Sequence, residues 1–352
     1  MPGIYITSSD DQTVKMWEQQ KLFRDVIQST RLSKFISKDG GSIVHEKVIG
    51  SNERGDTVTY TLIYKGSSSF LPPRTLIRGN ENGMITATDK LIVDEANLGY
   101  ITGTDIDKQR SPYDMDSETR RITVSAGAEA LDRKMFAELV NTDNVTDYFY
   151  IASGSLAATA TRATAKAAVT ATDKLTPEFA GAIRRWAISN RVNGRVPVQP
   201  IMIDGYPMLI WWVSGDVAYD IRNNSTWASA VKDASDRGRK NPLFTTAAAY
   251  YDGNIFIEDE FVNEMNMTNA GAGGNVNAAE SIVTGAQALL FGRKGMPRIS
   301  EEKISHGQQT SYAYISMIGV KKPEFTKTST KKMFGSLNVI TARSQITDIS
   351  VS

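Results

Sequence analysis

The sequence predicts an α+β fold in which one long helix accompanies a mixed set of strands and a β-hairpin projects from the body. Three observations predict it. Residues 115–141 carry apolar residues at helical spacing over a length well beyond that of an average helix. Residues 56–64 alternate with period two and lead into a long connection with no pattern of its own. Strand-like and helix-like segments otherwise follow in mixed order, without βαβ alternation and without a repeat of solenoid length.

The first 45 residues read as an arm with one short helix. Met16, Leu22, Phe23, Val26 and Ile27 form its apolar side, while Trp17, Lys21, Arg24 and Gln28 share another face. Gly40-Gly41 closes the unit. In the hairpin, Val58, Tyr60, Leu62 and Tyr64 alternate with Thr57, Thr59 and Thr61, and Lys90–Asp94 supplies a second strand-like run. Lys65–Gly83 between them is rich in Gly, Ser and Pro and reads as the tip. Nine extended residues reach about 30 Å. An isolated two-stranded ribbon is marginal in water, so the hairpin implies a partner that buries it.

In the long helix Val124, Ala128, Leu131, Met135 and Leu139 make the expected apolar stripe, with Phe136 beside it. Pro112 precedes it, and Asp114, Asp116 and Glu118 suit the positive end of its dipole. The Ala- and Thr-rich stretch 156–173 reads as a surface excursion. Thr176-Pro177-Glu178 opens another helix with Phe179, Ile183, Trp186 and Ala187 inward. Met208–Val213 reads as a buried strand, and Tyr219–Ala234 as a helix with Ile221, Trp227 and Val231 in the core. Asp252-Gly253 predicts a tight turn before the strand Asn254–Glu258. Gly271–Gly274 marks a loop, and Tyr312–Val320 and Ser336–Thr341 read as the last strands.

Composition narrows the chemistry. The chain has 352 residues, 41% of them hydrophobic, enough for about two domains. It carries 40 Lys and Arg against 39 Asp and Glu, without the basic excess of a dedicated nucleic-acid binder. It has no cysteine, which excludes disulfides and thiolate metal sites. There is no apolar run of about 18 residues. Met1–Tyr5 lacks the basic and apolar regions of a secretory signal.

The two histidines, His45 and His306, sit in polar contexts and read as exposed loop residues. They are too few for a zinc site without cysteine. No phosphate loop or dinucleotide fingerprint appears. Glu258, Asp259, Glu260 and Glu264 cluster, but neighbours on a strand point to opposite faces and do not converge on a cation. They read as a solvated surface or a charged contact. Arg237, Arg239 and Lys240 read as a solvated basic loop. The tail from Val320 holds Lys321, Lys322, Lys327, Lys331, Lys332 and Arg343 against Glu324 and Asp348, a mild attraction for DNA.

Four stretches together resemble a known family. They are Leu76–Glu81 with Leu91–Asp94; Gln109–Asp114 with Ala130–Arg133; Asn241–Phe244 with Tyr251–Ile255; and Thr284–Leu289 with Ile318–Lys322 and the closing strand. In order and spacing they resemble the major capsid proteins of tailed bacteriophages, especially a branch found in short-tailed phages. After Asn-Pro-Leu-Phe this chain has Thr245–Ala249 where such proteins favour glycines. The resemblance implies a tailed-phage capsid fold: an N-terminal arm (1–45), an extended hairpin loop (46–100), a peripheral domain with a spine helix (101–145), an axial domain (146–314) and a return to the peripheral domain with the tail (315–352). It implies subunit contacts through Trp17, Phe23, Tyr60, Leu62, Tyr64, Arg74, Arg78, Glu81, Arg110 and Asp114.

The function implied is a non-enzymatic shell subunit without cofactors. It would form pentamers and hexamers around double-stranded DNA in the virion, after assembly in the host cytoplasm. Its partners would be copies of itself, a separate scaffolding protein, a portal, a cement protein and weakly held DNA, with no membrane. An arm and a hairpin on opposite sides supply the unlike patches that closed rings require. A nanocompartment shell around cargo enzymes is the alternative on the same fold, and a carboxylate-dependent hydrolase using Glu258 the alternative from another class. Some shells of this fold are crosslinked through a hairpin lysine and an asparagine. Lys65 lies in that region, without a matching acid and asparagine setting.

Overall fold

The structure is a computed structural model. It describes residues 31–49, 55–64, 72, 77–78, 85–111, 113–140, 148–189, 198–203, 205–227, 229, 249–327, 330–333 and 335–345. Along the chain run β1 (Ile36–Ser37), β2 (Val44–Ile49), β3 (Thr57–Tyr64), β4 (Ile85–Ile92) and β5 (Asp94–Ile101), then the helices α1 (Asp105–Arg110) and α2 (Met115–Val140). Next come β6 (Tyr148–Ala152), β7 (Ser155–Thr159), α3 (Arg162–Ala168), α4 (Pro177–Ser189), β8 (Ile201–Ile203), β9 (Tyr206–Val213) and α5 (Gly215–Arg222). The chain continues through β10 (Ala249–Tyr251), β11 (Asn254–Glu258), α6 (Glu260–Asn263), β12 (Met267–Ala270), β13 (Val276–Thr284), β14 (Leu289–Lys294) and β15 (Arg298–Ile304). It ends with β16 (Gln309–Lys321), β17 (Glu324–Lys327), β18 (Thr330–Met333) and β19 (Ser336–Ala342). No helix among the described residues is long and apolar enough to cross a membrane.

Two sheets carry the body. One runs β1-β2-β14-β16-β15, with β5 also pairing β16. The other runs β10-β11-β9-β13-β19-β6-β7, flanked by β8 and β12. In the second sheet β19 is buried at every position and β13 from Ala278 onward, as central strands covered on both faces must be. On β9, Trp211 and Trp212 point to opposite faces and anchor two cores. Trp211 lies with Ile183 and Ala187 of α4 and Phe256, and Trp212 with Met135, Phe136 and Leu139 of α2 and Phe261. Each indole finds its hydrogen bond, Trp211 Nε1 to Asn254 Oδ1 at 2.9 Å and Trp212 Nε1 to Thr284 Oγ1 at 3.0 Å. Phe35 and Phe136 meet Trp212 edge-on.

The long helix forms as the spacing predicts, but its first half turns differently. Val124 is 44% exposed, and the inward residues there are Thr119, Thr123 and Gly127. The helix lies so close to β16 that a Cβ at Gly127 would sit 2.8 Å from the Tyr314 ring. Small side chains are required on that face, and the valine is left outside. The stretch 156–173 is no excursion: it forms β7 and α3, and Ala165 and Val169 join a third core with Tyr148 and Ile340. The helix expected over Tyr219–Ala234 begins earlier, where Ser214 accepts a hydrogen bond from Val217 N, and is interrupted after Arg222. Asn223 and Asn224 form a turn there, and helical structure resumes at residues 225–227. Ile221 and Trp227 are buried, and Val231 lies outside the described residues. The turn at Asp252-Gly253 has both residues at positive φ, 45° and 71°, the mirror-image geometry that two-residue hairpins favour.

Candidate assembly surfaces

The hairpin β3–β4 is the element whose sequence called for a partner. Its strands pair antiparallel from Thr57↔Ile92 to Tyr64↔Ile85. The second strand therefore starts earlier than Lys90, and β5 continues after a break at Val93. The inner face is satisfied within the chain. Val58, Tyr60, Leu91 and Val93 cluster with Leu290 of β14. The close approach is made possible by Gly292 and Gly319, which oppose one another across β14 and β16. A Cβ at Gly292 would lie 2.9 Å from Leu91, and one at Gly319 would collide with the Ile92 carbonyl oxygen. A glycine inside a strand marks such an approach, and this signal was present in the sequence.

Tyr60 belongs to this inner face. It is buried, its hydroxyl donates to the Phe291 carbonyl at 2.9 Å, and Lys47 Nζ stands 5.6 Å from its ring centre. Burial, with Glu46 close by, drives its phenol well above the ordinary range. Leu62 is half-buried beside Ala87 and Phe325 of β17. Tyr64 ends β3. Arg78, Arg110 and Asp114 are exposed. Arg110 closes α1, whose start is held by a reciprocal Thr104–Asp107 cap, and Asp114 Oδ1 accepts from Asp116 N at the start of α2. Trp17, Phe23, Arg74 and Glu81 lie outside the described residues, as do Lys65 and the basic group Arg237, Arg239 and Lys240.

The outer face of the hairpin is open. It presents Thr57, Thr59, Thr61, Thr86 and Thr88 with Lys90, and Ile63 and Ile92 are 61% and 66% exposed. No carboxylate interrupts it among the described residues of β3 and β4. The acid on these two strands, Asp89, faces inward, where its carboxylate accepts from Lys321 Nζ at 2.5 Å and from Glu324 N at 3.0 Å. These bonds tie the hairpin to the returning C-terminal chain.

Part of the tail's mild positive charge is engaged within the chain. Lys321 is held by Asp89, and Arg343 pairs with Asp216. Lys322 is 0% exposed, among Glu280, Glu138 and Glu324. Burial pulls its ammonium down to about 8 against the pull of those carboxylates. A cation this deep is unavailable to DNA. Glu280 is itself wholly buried, paired with Arg162 at 2.6 Å and accepting from Asn338 Nδ2 at 2.6 Å.

Two further readings change. His45 is a half-buried strand residue, edge-on to Tyr60 at 5.8 Å, whereas His306 is exposed in a turn as expected. The acidic run at 258–264 is not one solvated surface. Asp259 is 1% exposed and caps α6 by accepting from Phe261 N at 2.9 Å. Glu258 pairs with Arg222 and Glu264 with Arg133, so the carboxylates diverge. No group of three or more His, Asp or Glu among the described residues is arranged to hold a metal. Asp132 on α2 receives Arg31 N at 2.6 Å and Ser33 N at 2.8 Å, and Arg31 also reaches the Glu258 carbonyl. This fixes the root of the arm on the long helix.

Comparison with known proteins agrees with this anatomy. A family model described as phage capsid protein matches residues 5–344. The major capsid protein of Pseudomonas phage KPP25 is 23% identical over 372 residues, covering 95% of this chain and 96% of that protein. Among solved structures, the capsid of Ralstonia phage GP4 superposes with a TM-score of 0.76 at 18% identity, over 98% of this chain and 99% of that one. The capsid asymmetric unit of cyanophage Pam1 gives 0.77 at 19% identity, over 97% and 99%. With a family match spanning nearly the whole chain and a fold shared from end to end, this chain belongs to the phage capsid protein family.

Proposed function

We propose that the chain is the major capsid protein of a tailed phage, a structural subunit that assembles with copies of itself into pentamers and hexamers of an icosahedral shell around double-stranded DNA. The observation that carries this reading, beside the family, is the hairpin. Its root is locked to the chain's own sheet by Gly292 and Gly319, while its outer threonine face, with Ile63 and Ile92, is left without a layer over it. An open strand-pair face held out from a fixed root is a ready contact for a neighbouring subunit. A scaffolding protein, a portal and a cement protein are its further partners, and assembly takes place in the host cytoplasm. Contact with DNA is weak, since three of the tail's six cations are engaged internally. The subunit does no chemistry and needs no cofactor.

Negative-stain microscopy with sedimentation of the expressed protein tests this. Shells, hexameric rings or tubes are expected. A uniform small monomer that stays monomeric when the phage's own scaffold is added would overturn the assignment. Nucleic acid inside native particles separates a phage head from an enzyme-filled nanocompartment.

A further inference from the structure

A groove of about 480 Å³ runs between α2 and the first sheet. On the helix it is lined by Gly127, Ala130, Leu131 and Lys134, which share one face at i, i+3, i+4 and i+7. Its other wall includes Leu98, Phe291, Pro297, Tyr314 and Ile318. The volume is that of a site for a few large apolar side chains. Ile36, six residues into the described chain, lines it too.

We propose that this groove seats the apolar side of the chain's own arm, residues 16–27, docked in cis in the unassembled subunit. Three observations select that occupant. The arm is fixed at Arg31 by Asp132, next to groove residue Leu131, so the segment ends only four residues from an anchor at the groove's edge. Four extended residues span about 13 Å. The segment supplies Met16, Leu22, Phe23, Val26 and Ile27, which match an apolar floor. At the rim Lys134 is exposed with no ion-pair partner among the described residues, and the segment brings Glu18 and Asp25. A tether this short gives an effective concentration in the millimolar range, which favours the chain's own arm over that of another copy in dilute solution. This inference stands or falls separately from the shell assignment, because it concerns the single subunit.

The chain has no cysteine, so disulfide trapping is clean. In dilute protein carrying Phe23→Cys and Lys134→Cys, oxidation should give a monomer with an internal disulfide, migrating faster on a non-reducing gel. The pair Phe23→Cys and Ser300→Cys, with the second residue on the exposed strand β15, should stay reduced. Disulfide-linked dimers from the first pair would assign the groove to a second copy, and no disulfide would place the arm elsewhere; either result overturns the proposal. A second variant does not depend on trapping. Ala130 is exposed at the groove, so Ala130→Trp fills it without repacking the core. Displacing the arm should speed tryptic cleavage at Lys15, Lys21 and Arg24 by about tenfold, the change expected from losing the burial of one large side chain. Unchanged cleavage in a variant that melts like the parent would refute arm docking.

Discussion

Asp259 shows what a single side chain contributes and conceals. In the sequence it is one of three consecutive acids, with nothing to separate it from its neighbours. In the fold it is the buried cap of α6, and burial pushes its carboxyl up to about 6, with Arg31 opposing and Asp132 and Glu260 reinforcing the rise. Its folded pKa is above the unfolded one. Its contribution to stability is therefore fully present below about pH 4 and is lost as pH rises through about 6. Asp259→Asn keeps an acceptor for Phe261 N and removes the buried charge. Urea denaturation across pH should show the variant more stable than the parent by about 1–2 kcal/mol near pH 7.5, with a shallower loss between about pH 4 and 6. Some slope will remain, because burial raises the Asp132 carboxyl too. An unaltered pH profile would mean that another group titrates. Lys322 was illegible for the same reason. Whether a charge is solvated depends on strands far away in sequence, here on Glu280 and Glu138.

Among elements, the first strand of the hairpin was legible because threonine and apolar residues alternate from Thr57 to Leu62, whereas the second was placed too late, at Lys90, because Asp89-Lys90 breaks its alternation. What the alternation did not reveal is which face belongs to the chain itself. The two glycines on β14 and β16 decide that, and they lie over 200 residues from β3. The long helix was legible in length, but its stripe drifted at Val124, where close approach to Tyr314 outweighs hydrophobicity. The helix read over 219–234 starts earlier and is broken in two, because Ser214 caps it and the asparagine pair turns the chain after Arg222. The hairpin also carries a prediction. Removing residues 66–83 and joining the strands by a short turn should leave the thermal unfolding of the body close to that of the parent, since the root contacts at Tyr60, Leu91 and Asp89 are retained. Stable particles should no longer form. Normal particles from this deletion, seen by sedimentation and microscopy, would contradict the hairpin's role.

On the scale of the whole molecule, the second sheet is covered on both faces, with the adjacent tryptophans of β9 holding one core on each side. The mixed order of elements was legible, and so was the absence of cysteine. How the strands interleave was not, because pairings such as β2 with β14 and β6 with β19 join distant segments that no local pattern connects. Without disulfides, a shell of these subunits is held by many modest contacts repeated by symmetry. Purified particles boiled in denaturant should run as one band at the single-chain mass of 38.6 kDa. A ladder of covalent multimers would show that crosslinking chemistry operates after all.

The position of β19 has a further consequence. It follows both β13 and β6 in the chain yet lies between them in the second sheet, antiparallel to β13 on one side and parallel to β6 on the other. A nascent chain that has not reached residue 336 has two open strand edges where the finished protein has a closed seam. The long-range pairings that follow are slow to form, because distant segments must first be brought together. Vectorial synthesis thus postpones the closed seam until β19 itself has been made.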